Sequence, residues 1–272
     1  MTQYINKDTT VCMSLAARPS NFGTRFHNYL YNELDLDFIY KAFTTTDLPA
    51  AINGVRALGI RGCAISMPFK QECIALVDEL DESAKAINSV NTIVNTGGYL
   101  KAYNTDYIAI AALLRQYQVS PDLEFVLRGS GGMAKAVACA LKDAGFKRGY
   151  IIAIDEPSGR SLAELCRYEW RPDTEGLQPE LLINATPIGM AGGEDSDKLS
   201  FTHQEVDNAK VIFDVVALPE QTPLIRYARE NNKEVITGSE VFAIQAVEQF
   251  SLYTGVKPSE ELFKKAANYS RQ

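Results

Sequence analysis

A chain of 272 residues, 46% hydrophobic and 10% aromatic, carries enough apolar material for one large or two medium cores, which excludes long disordered stretches. A formal net charge of −7 excludes sequence-independent binding to nucleic acid, whose phosphates call for a basic surface, yet leaves room for a locally positive pocket that takes a small anion. No apolar run approaches the roughly 20 residues that span a bilayer, and the opening MTQYINKDTT has no apolar signal-like stretch, so the expectation is a soluble, cytoplasmic protein with no membrane partner.

Short β-branched runs alternate with helical patterns, which predicts α/β architecture with largely parallel sheets. The first segment reads as strand 10–14, helix 22–34, strand 38–43, helix 48–58 and strand 62–65, followed by SMPFK and a helix from about Gln71. Residues 90–94 and 99–102 read as a hairpin, with Asn95-Thr96-Gly97-Gly98 supplying residues that tolerate positive φ. A second unit follows Asn104-Thr105-Asp106, with Asp106 placed to cap a helix through Ile108, Leu113 and Leu114. Strands are predicted at 124–127, 150–154, 181–185, 211–216 and 234–237, and helices around 133–144 and 162–168. The stretch 239–269 reads as helical from the spacing of Val241, Ile244, Val247 and Phe250, with Glu248, Lys264 and Lys265 on its polar face. The five cysteines (Cys12, Cys63, Cys73, Cys139, Cys166) are odd in number and lack C-x-x-C spacing. With only His27 and His203 to complete a site, they read as reduced, buried thiols, and no metal is expected.

The strongest local signal is the predicted strand running into Gly129-Ser130-Gly131-Gly132 and then a helix opened by Met133-Ala134. A tight glycine turn lets backbone approach a diphosphate, and the helix start offers unpaired N–H groups and a positive dipole end, so a dinucleotide is the expected ligand. The alternative is a glycine-rich turn without a ligand. Asp155, just past the next strand, stands where a carboxylate meets adenosine ribose hydroxyls and repels a 2′-phosphate, or serves as a cap. No arginine stands at that strand end; Arg160 lies further on.

Ser66-Met67-Pro68-Phe69-Lys70, Asn91-Thr92 and Asn104-Thr105-Asp106 each follow or flank predicted strand ends. Oxidising an alcohol by hydride transfer requires removal of the hydroxyl proton; a lysine amine can take it while a carboxylate positions amine and substrate. Read alone, Lys70 as a surface ammonium and Asp106 as a helix cap explain the same residues.

SMPFK, SVNT and NTD, then GSGG, NATPIGM and the late Gln245, occur in the order found in the shikimate dehydrogenase family, and the chain resembles that family over nearly its whole length. RPSNFGTRFHN resembles its shikimate dehydrogenase-like branch. The resemblance implies a substrate-binding and catalytic α/β domain of residues 1–104 plus 239–272, and a Rossmann-type parallel-sheet dinucleotide-binding domain of residues 105–238. It implies Lys70 and Asp106 as the catalytic pair, with Ser66, Asn91 and Gln245 facing the substrate and Thr186, Pro187 and Gly238 beside the nicotinamide. The implied substrate is shikimate or a related cyclic polyol acid, within the shikimate pathway of aromatic amino acid biosynthesis, and the implied assembly is a monomer or homodimer.

Departures accompany the matches. Where the family uses two serines to hold the substrate carboxylate, this chain has Asn21 and Gly23; Ser20 and Asn21 are the expected substrate contacts there, with Thr24 a further hydroxyl donor, and Ala217 stands where a tyrosine is frequent. The family's N-R-T cofactor motif becomes Ala153-Ile154-Asp155, which removes the arginine expected to pair with a 2′-phosphate. The expectation is an NAD(P)-dependent dehydrogenase that tolerates or prefers NAD over NADP. A dinucleotide-binding regulatory protein of the same fold is the alternative.

Overall fold

The computed structural model describes residues 5–270, so the first four residues of the MTQYINKDTT stretch lie outside the described residues. Two compact units make up the chain: one runs to Thr105 and resumes at Gln245, and the other spans Asp106–Ile244.

The first unit contains β1 (Thr10–Leu15), α1 (Phe22–Glu33), β2 (Phe38–Phe43), α2 (Leu48–Ala57), β3 (Gly62–Ile65), β4 (Glu79–Leu80), α3 (Glu82–Ile87), β5 (Thr92–Thr96) and β6 (Tyr99–Tyr103). Its sheet has the order β2-β1-β3-β5-β6-β4. β1 is parallel to β2 and β3, whereas β5 runs antiparallel to both β3 and β6. The sheet is therefore mixed, because the β5–β6 hairpin reverses the chain over Gly97 and Gly98, at φ 60° and 91°. The four-residue loop expected there is shorter: Asn95 and Thr96 pair with Leu100 and Tyr99 inside the ladder. One core of this unit packs Met13, Leu15, Cys63, Ile65 and Ile93 against Leu48, Ile52 and Val55 of α2. Fully burying each such side chain stabilises by about 1.5–3 kcal/mol.

The helix expected from Gln71 is a short 3-10 turn, Glu72–Leu76. Tertiary pairing ends it. Asp78 accepts from the Leu100 amide (2.7 Å), and β4 then pairs with β6, where Lys101 meets Glu79 at 2.9 Å.

α4 (Thr105–Gln116) opens the second unit. The helix begins one residue before the expected cap, so Asp106 sits in its first turn rather than at the N-cap. There follow β7 (Phe125–Arg128), α5 (Gly132–Asp143), β8 (Gly149–Ile152), α6 (Glu156–Cys166), β9 (Glu169–Arg171), β10 (Leu181–Asn184), α7 (His203–Asn208), β11 (Val211–Asp214), α8 (Pro223–Glu230) and β12 (Glu234–Thr237). All strand pairs are parallel, in the order β12-β11-β10-β7-β8-β9. The glycine turn follows β7, and the chain lays β8 and β9 on one side of that strand and β10, β11 and β12 on the other, the two-sided winding of a Rossmann sheet. Strands FVLR, LLIN and VIFD read as continuous apolar runs because both faces are covered.

α9 (Gly238–Thr254) and α10 (Glu260–Ser270) replace the single long helix expected at the end. Gly255 at φ 75° and Pro258 break the run. The division between units falls inside α9, six residues beyond the expected boundary at 238/239. Within the first unit, Phe26 of α1 meets Phe263 of α10 edge-to-face at 5.6 Å.

Candidate active site

In the first unit, three motifs are tied together at one end of the sheet. The SMPFK turn leaves the carboxyl end of β3, and its Ser66 amide donates to Leu15 O at 3.0 Å. The Val90 amide donates to Lys70 O at 2.8 Å, which joins this turn to the segment entering β5. Asn91 is buried: its backbone N–H donates to Tyr103 O (3.0 Å) and its carbonyl accepts from the Ile65 amide (2.8 Å). Its side-chain Oδ1 accepts from the Thr105 amide (2.9 Å), and its Nδ2 donates to Thr105 Oγ1 (3.0 Å). Asp106, buried, is the next residue along α4. Lys70 is half-buried.

The segment after β1 reaches the same end of the sheet. The Ala17 amide donates to Met67 O (3.2 Å), and exposed Ser20 and Asn21 follow, with Asn21 at the N-cap of α1 but making no side-chain cap bond. A side chain at Gly23 would stand against the Tyr40 ring, its Cβ 3.5 Å from the phenol oxygen. Gln245 lies on α9, one turn before Gln249.

In the second unit, the glycine turn sits at the switch point between β7 and β10, where Rossmann sheets take their ligands. Gly129 has φ 121°, and a Cβ there would lie 2.8 Å from Ala185 O, so the strand end passes too close to the end of β10 for any side chain. Gly131 and Gly132 face open space, and a Cβ on either would meet nothing within 4 Å. Gly131 caps α5 without a side-chain bond, and the first helical bond is Lys135 N to Gly131 O, so the amides of Gly132, Met133 and Ala134 lack intrahelical partners. Bare backbone, unpaired donors and a helix dipole fit a dinucleotide diphosphate.

Ser130 Oγ lies 2.7 Å from Ser158 Oγ, which couples the turn to the start of α6. Asp155 caps that helix, accepting from the Ser158 amide at 3.1 Å, so the capping role is real and uses one carboxylate oxygen. Ile154 beside it is fully exposed. Arg160 donates to Glu156 (2.7 Å) and its guanidinium lies 4.3 Å over the Trp170 ring.

Beyond β10, Asn184 organises the TPIGM loop. Its Oδ1 accepts from the Thr186 amide (3.1 Å) and hydroxyl (2.6 Å), while its Nδ2 donates to Ile188 O (3.1 Å) and Asp214 Oδ1 (3.0 Å). Asp214 also accepts from the Val216 amide (3.1 Å) and Thr222 Oγ1 (2.6 Å), and burial pushes its carboxyl up to about 6. Pro187 follows Thr186 in this loop. At Gly238 a Cβ would come within 2.4 Å of Val215 O, so only glycine lets α9 start against the segment leaving β11. Sequence reasoning assigned no site role to Thr92, Thr105, Asn184 or Gln249. For the last, the one-turn spacing from Gln245 is the signal that could have found it.

A family model described as the shikimate dehydrogenase substrate binding domain matches residues 22–93. A shikimate dehydrogenase-like protein of Haemophilus influenzae is 55% identical over 98% of both chains. The chain belongs to the shikimate dehydrogenase family. A shikimate dehydrogenase (NADP(+)) of Pyrococcus abyssi is 34% identical over 89% of this chain and 90% of its own. Among solved structures, a shikimate 5-dehydrogenase-like protein superposes with TM-score 0.97 at 54% identity, covering 99% of this chain and 100% of that one. The Thermus thermophilus shikimate 5-dehydrogenase, in complex with NADP(H) and shikimate, superposes with TM-score 0.82 at 26% identity, covering 96% and 99% of the two chains. Among the described residues no group of three His, Cys, Asp or Glu is placed to hold a metal ion, and no helix is long and apolar enough to cross a membrane.

Proposed function

We propose that this protein is a nicotinamide-dinucleotide-dependent dehydrogenase that interconverts shikimate, or a closely related cyclic polyol acid, with the corresponding ketone. The observation that carries the reading is the hydrogen-bonded convergence of SMPFK, VNT and NTD at one end of the first sheet. Residues 129–134 would hold the dinucleotide, whose chemistry when bound would be hydride transfer. Lys70 acts as the general acid in reduction, its ammonium giving a proton to the carbonyl oxygen, and as the general base in oxidation. Asp106 accepts from a substrate hydroxyl. Ser66, Asn91 and Gln245 bind the polyol.

The replaced serines bear on substrate choice. Each charge-assisted hydrogen bond to a carboxylate contributes about 1.5–3 kcal/mol, so Asn21 and Gly23 weaken the grip on an acid group unless Ser20 and Thr24 replace them. For the cofactor, Asp155 opposes a 2′-phosphate, and Arg160 is already engaged by Glu156 and Trp170. Both favour NAD over NADP.

Nicotinamide absorbance, followed with shikimate, quinate and aminoshikimate against each dinucleotide, tests the reading. Turnover of at least one acid is expected, with higher kcat/KM on NAD. Lys70→Met should lower kcat by about 10²–10⁴-fold. Dinucleotide binding without turnover of any acid would instead assign the regulatory role, to which the replaced serines point.

A further inference from the structure

We propose that Gln249 and Thr92 are positioning residues: a one-way chain of hydrogen bonds starting at His27 holds the Asn91 amide in one orientation across Thr105 and so fixes which of its hydrogens is offered to the substrate. The proposal rests on the functional reading above, in which Asn91 meets the polyol.

The chain lies wholly in the first unit, and its direction follows from donor and acceptor chemistry. His27 is buried on α1, stacked on Tyr40 with ring centroids 4.3 Å apart. Burial holds its imidazole down at about 4, so it is neutral and carries one N–H. Its Nε2 lies 3.2 Å from Gln249 Oε1, which only accepts, so Nε2 bears the hydrogen. Gln249 Nε2 then donates to Thr92 Oγ1 at 2.9 Å. That hydroxyl, occupied as an acceptor, turns its own proton to Asn91 Oδ1 at 2.9 Å. Asn91 Oδ1 also accepts from the Thr105 amide at 2.9 Å, at the first residue of the helix that carries Asp106.

Every dipole in the series points the same way, so each bond polarises the next. With Oδ1 claimed from two sides, the Asn91 amide cannot flip. Its Nδ2 spends one hydrogen on Thr105 Oγ1 (3.0 Å), and the other is the one presented to a substrate hydroxyl. Without Gln249, the Thr92 hydroxyl loses the donor that occupies its lone pair and gains freedom to rotate away from Asn91 Oδ1. Thr92 and Thr105 are both fully buried, which keeps water from substituting for a missing member.

The test compares Thr92→Val, Thr92→Ser and Gln249→Leu with the unmodified enzyme. KM for the acid, KM for the dinucleotide and the exchange rate of the Asn91 side-chain amide in 1H–15N spectra are measured. Thr92→Val and Gln249→Leu should raise KM for the acid about tenfold, the scale of one hydrogen bond, and accelerate Asn91 amide exchange. KM for the dinucleotide should hold, and Thr92→Ser should restore both affected readings. A Thr92→Val protein with unchanged acid KM and exchange overturns the proposal, as does a Thr92→Ser protein as impaired as Thr92→Val, which would assign the effect to packing. If the unmodified protein turns over none of the acids, the functional reading fails by itself. Asn91 exchange then still decides the relay: faster in Thr92→Val supports it, unchanged overturns it.

Discussion

Asp214→Asn gives a quantitative handle on the second unit. Asp214 is fully buried, and its carboxyl is raised from an ordinary value near 3.8 to about 6, chiefly because burial disfavours the charge, against three hydrogen bonds that favour it. Because the folded value lies above the unfolded one, the carboxylate destabilises the fold wherever it must be ionised. Well below pH 3.8 both states are protonated and there is no cost; the cost grows as pH rises from about 3 to 7 and is then constant. At ~1.4 kcal/mol per pH unit it reaches about 3 kcal/mol. Asparagine keeps the shape, can accept from Asn184 and Val216 through Oδ1, and does not titrate. The difference in unfolding free energy, D214N minus unmodified protein, should therefore move in the variant's favour by about 2 kcal/mol between pH 4 and 7. Background titrations common to both proteins cancel in the difference. The protein's one tryptophan, Trp170, lies on β9 of this same unit, so its fluorescence in denaturant titrations reports the relevant transition. A difference that stays flat over this range, or moves the other way, would refute the buried-charge account.

Gly129→Ala forces a Cβ to 2.8 Å from Ala185 O at a positive φ, so it should cost about 1–3 kcal/mol of strain and weaken dinucleotide binding; an unchanged calorimetric NAD titration counts against the turn as the cofactor cradle. The His27 imidazole, held below its ordinary 6.5, should titrate near pH 4 by NMR; its contribution to stability is complete above about pH 6.5 and is lost as pH falls toward 4, and a midpoint near 6.5 contradicts its burial as a neutral donor. On the proposed reading, in which the Asp155 carboxylate opposes a 2′-phosphate, Asp155→Arg should shift the kcat/KM ratio toward NADP, while loss of the α6 cap costs about 0.5–2 kcal/mol in melting experiments. A ratio that does not move removes Asp155 from cofactor choice.

Much of the fold was legible because periodicity and punctuation agree locally. FVLR running into GSGG reads as strand, turn and helix from adjacent residues alone, and VIFD and LLIN advertise burial on both faces. What escaped depends on distant partners. Glu79-Leu80 has no strand signature and forms β4 only because β6 is there to pair with it. The six-residue helix α7 is announced only by a capping box, Thr202 with Glu205, in a polar stretch. At the site, Lys70, Asn91 and Asp106 stand out through their motifs. Gln249 has no motif of its own, because its importance comes from contacts with residues 157 and 222 positions away.

Both units solve the problem of holding a functional loop in the same way. A buried asparagine at a strand end, Asn91 in one and Asn184 in the other, uses Oδ1 to accept from the backbone N–H and the side-chain O–H of a threonine in the following loop or helix start. Asparagine suits the task because one side chain both donates and accepts. Aspartate would bring a buried charge and lose the donor, and leucine would strand the loop amides without partners. The amide's weakness is that its two ends are nearly the same shape, so a flip is cheap unless neighbours forbid it. Each unit supplies that neighbour differently. Asp214, acceptor only when ionised, pins Asn184 by demanding its Nδ2, whereas Thr92, driven by Gln249 and neutral His27, pins Asn91 by offering a proton to its Oδ1. The first device carries a charge and so a pH dependence near 6; the second is neutral throughout and indifferent to pH until His27 ionises near 4. A loop that must stay shaped while protons move beside it is better served by the neutral arrangement, and that is the one tied to the residue preceding Asp106.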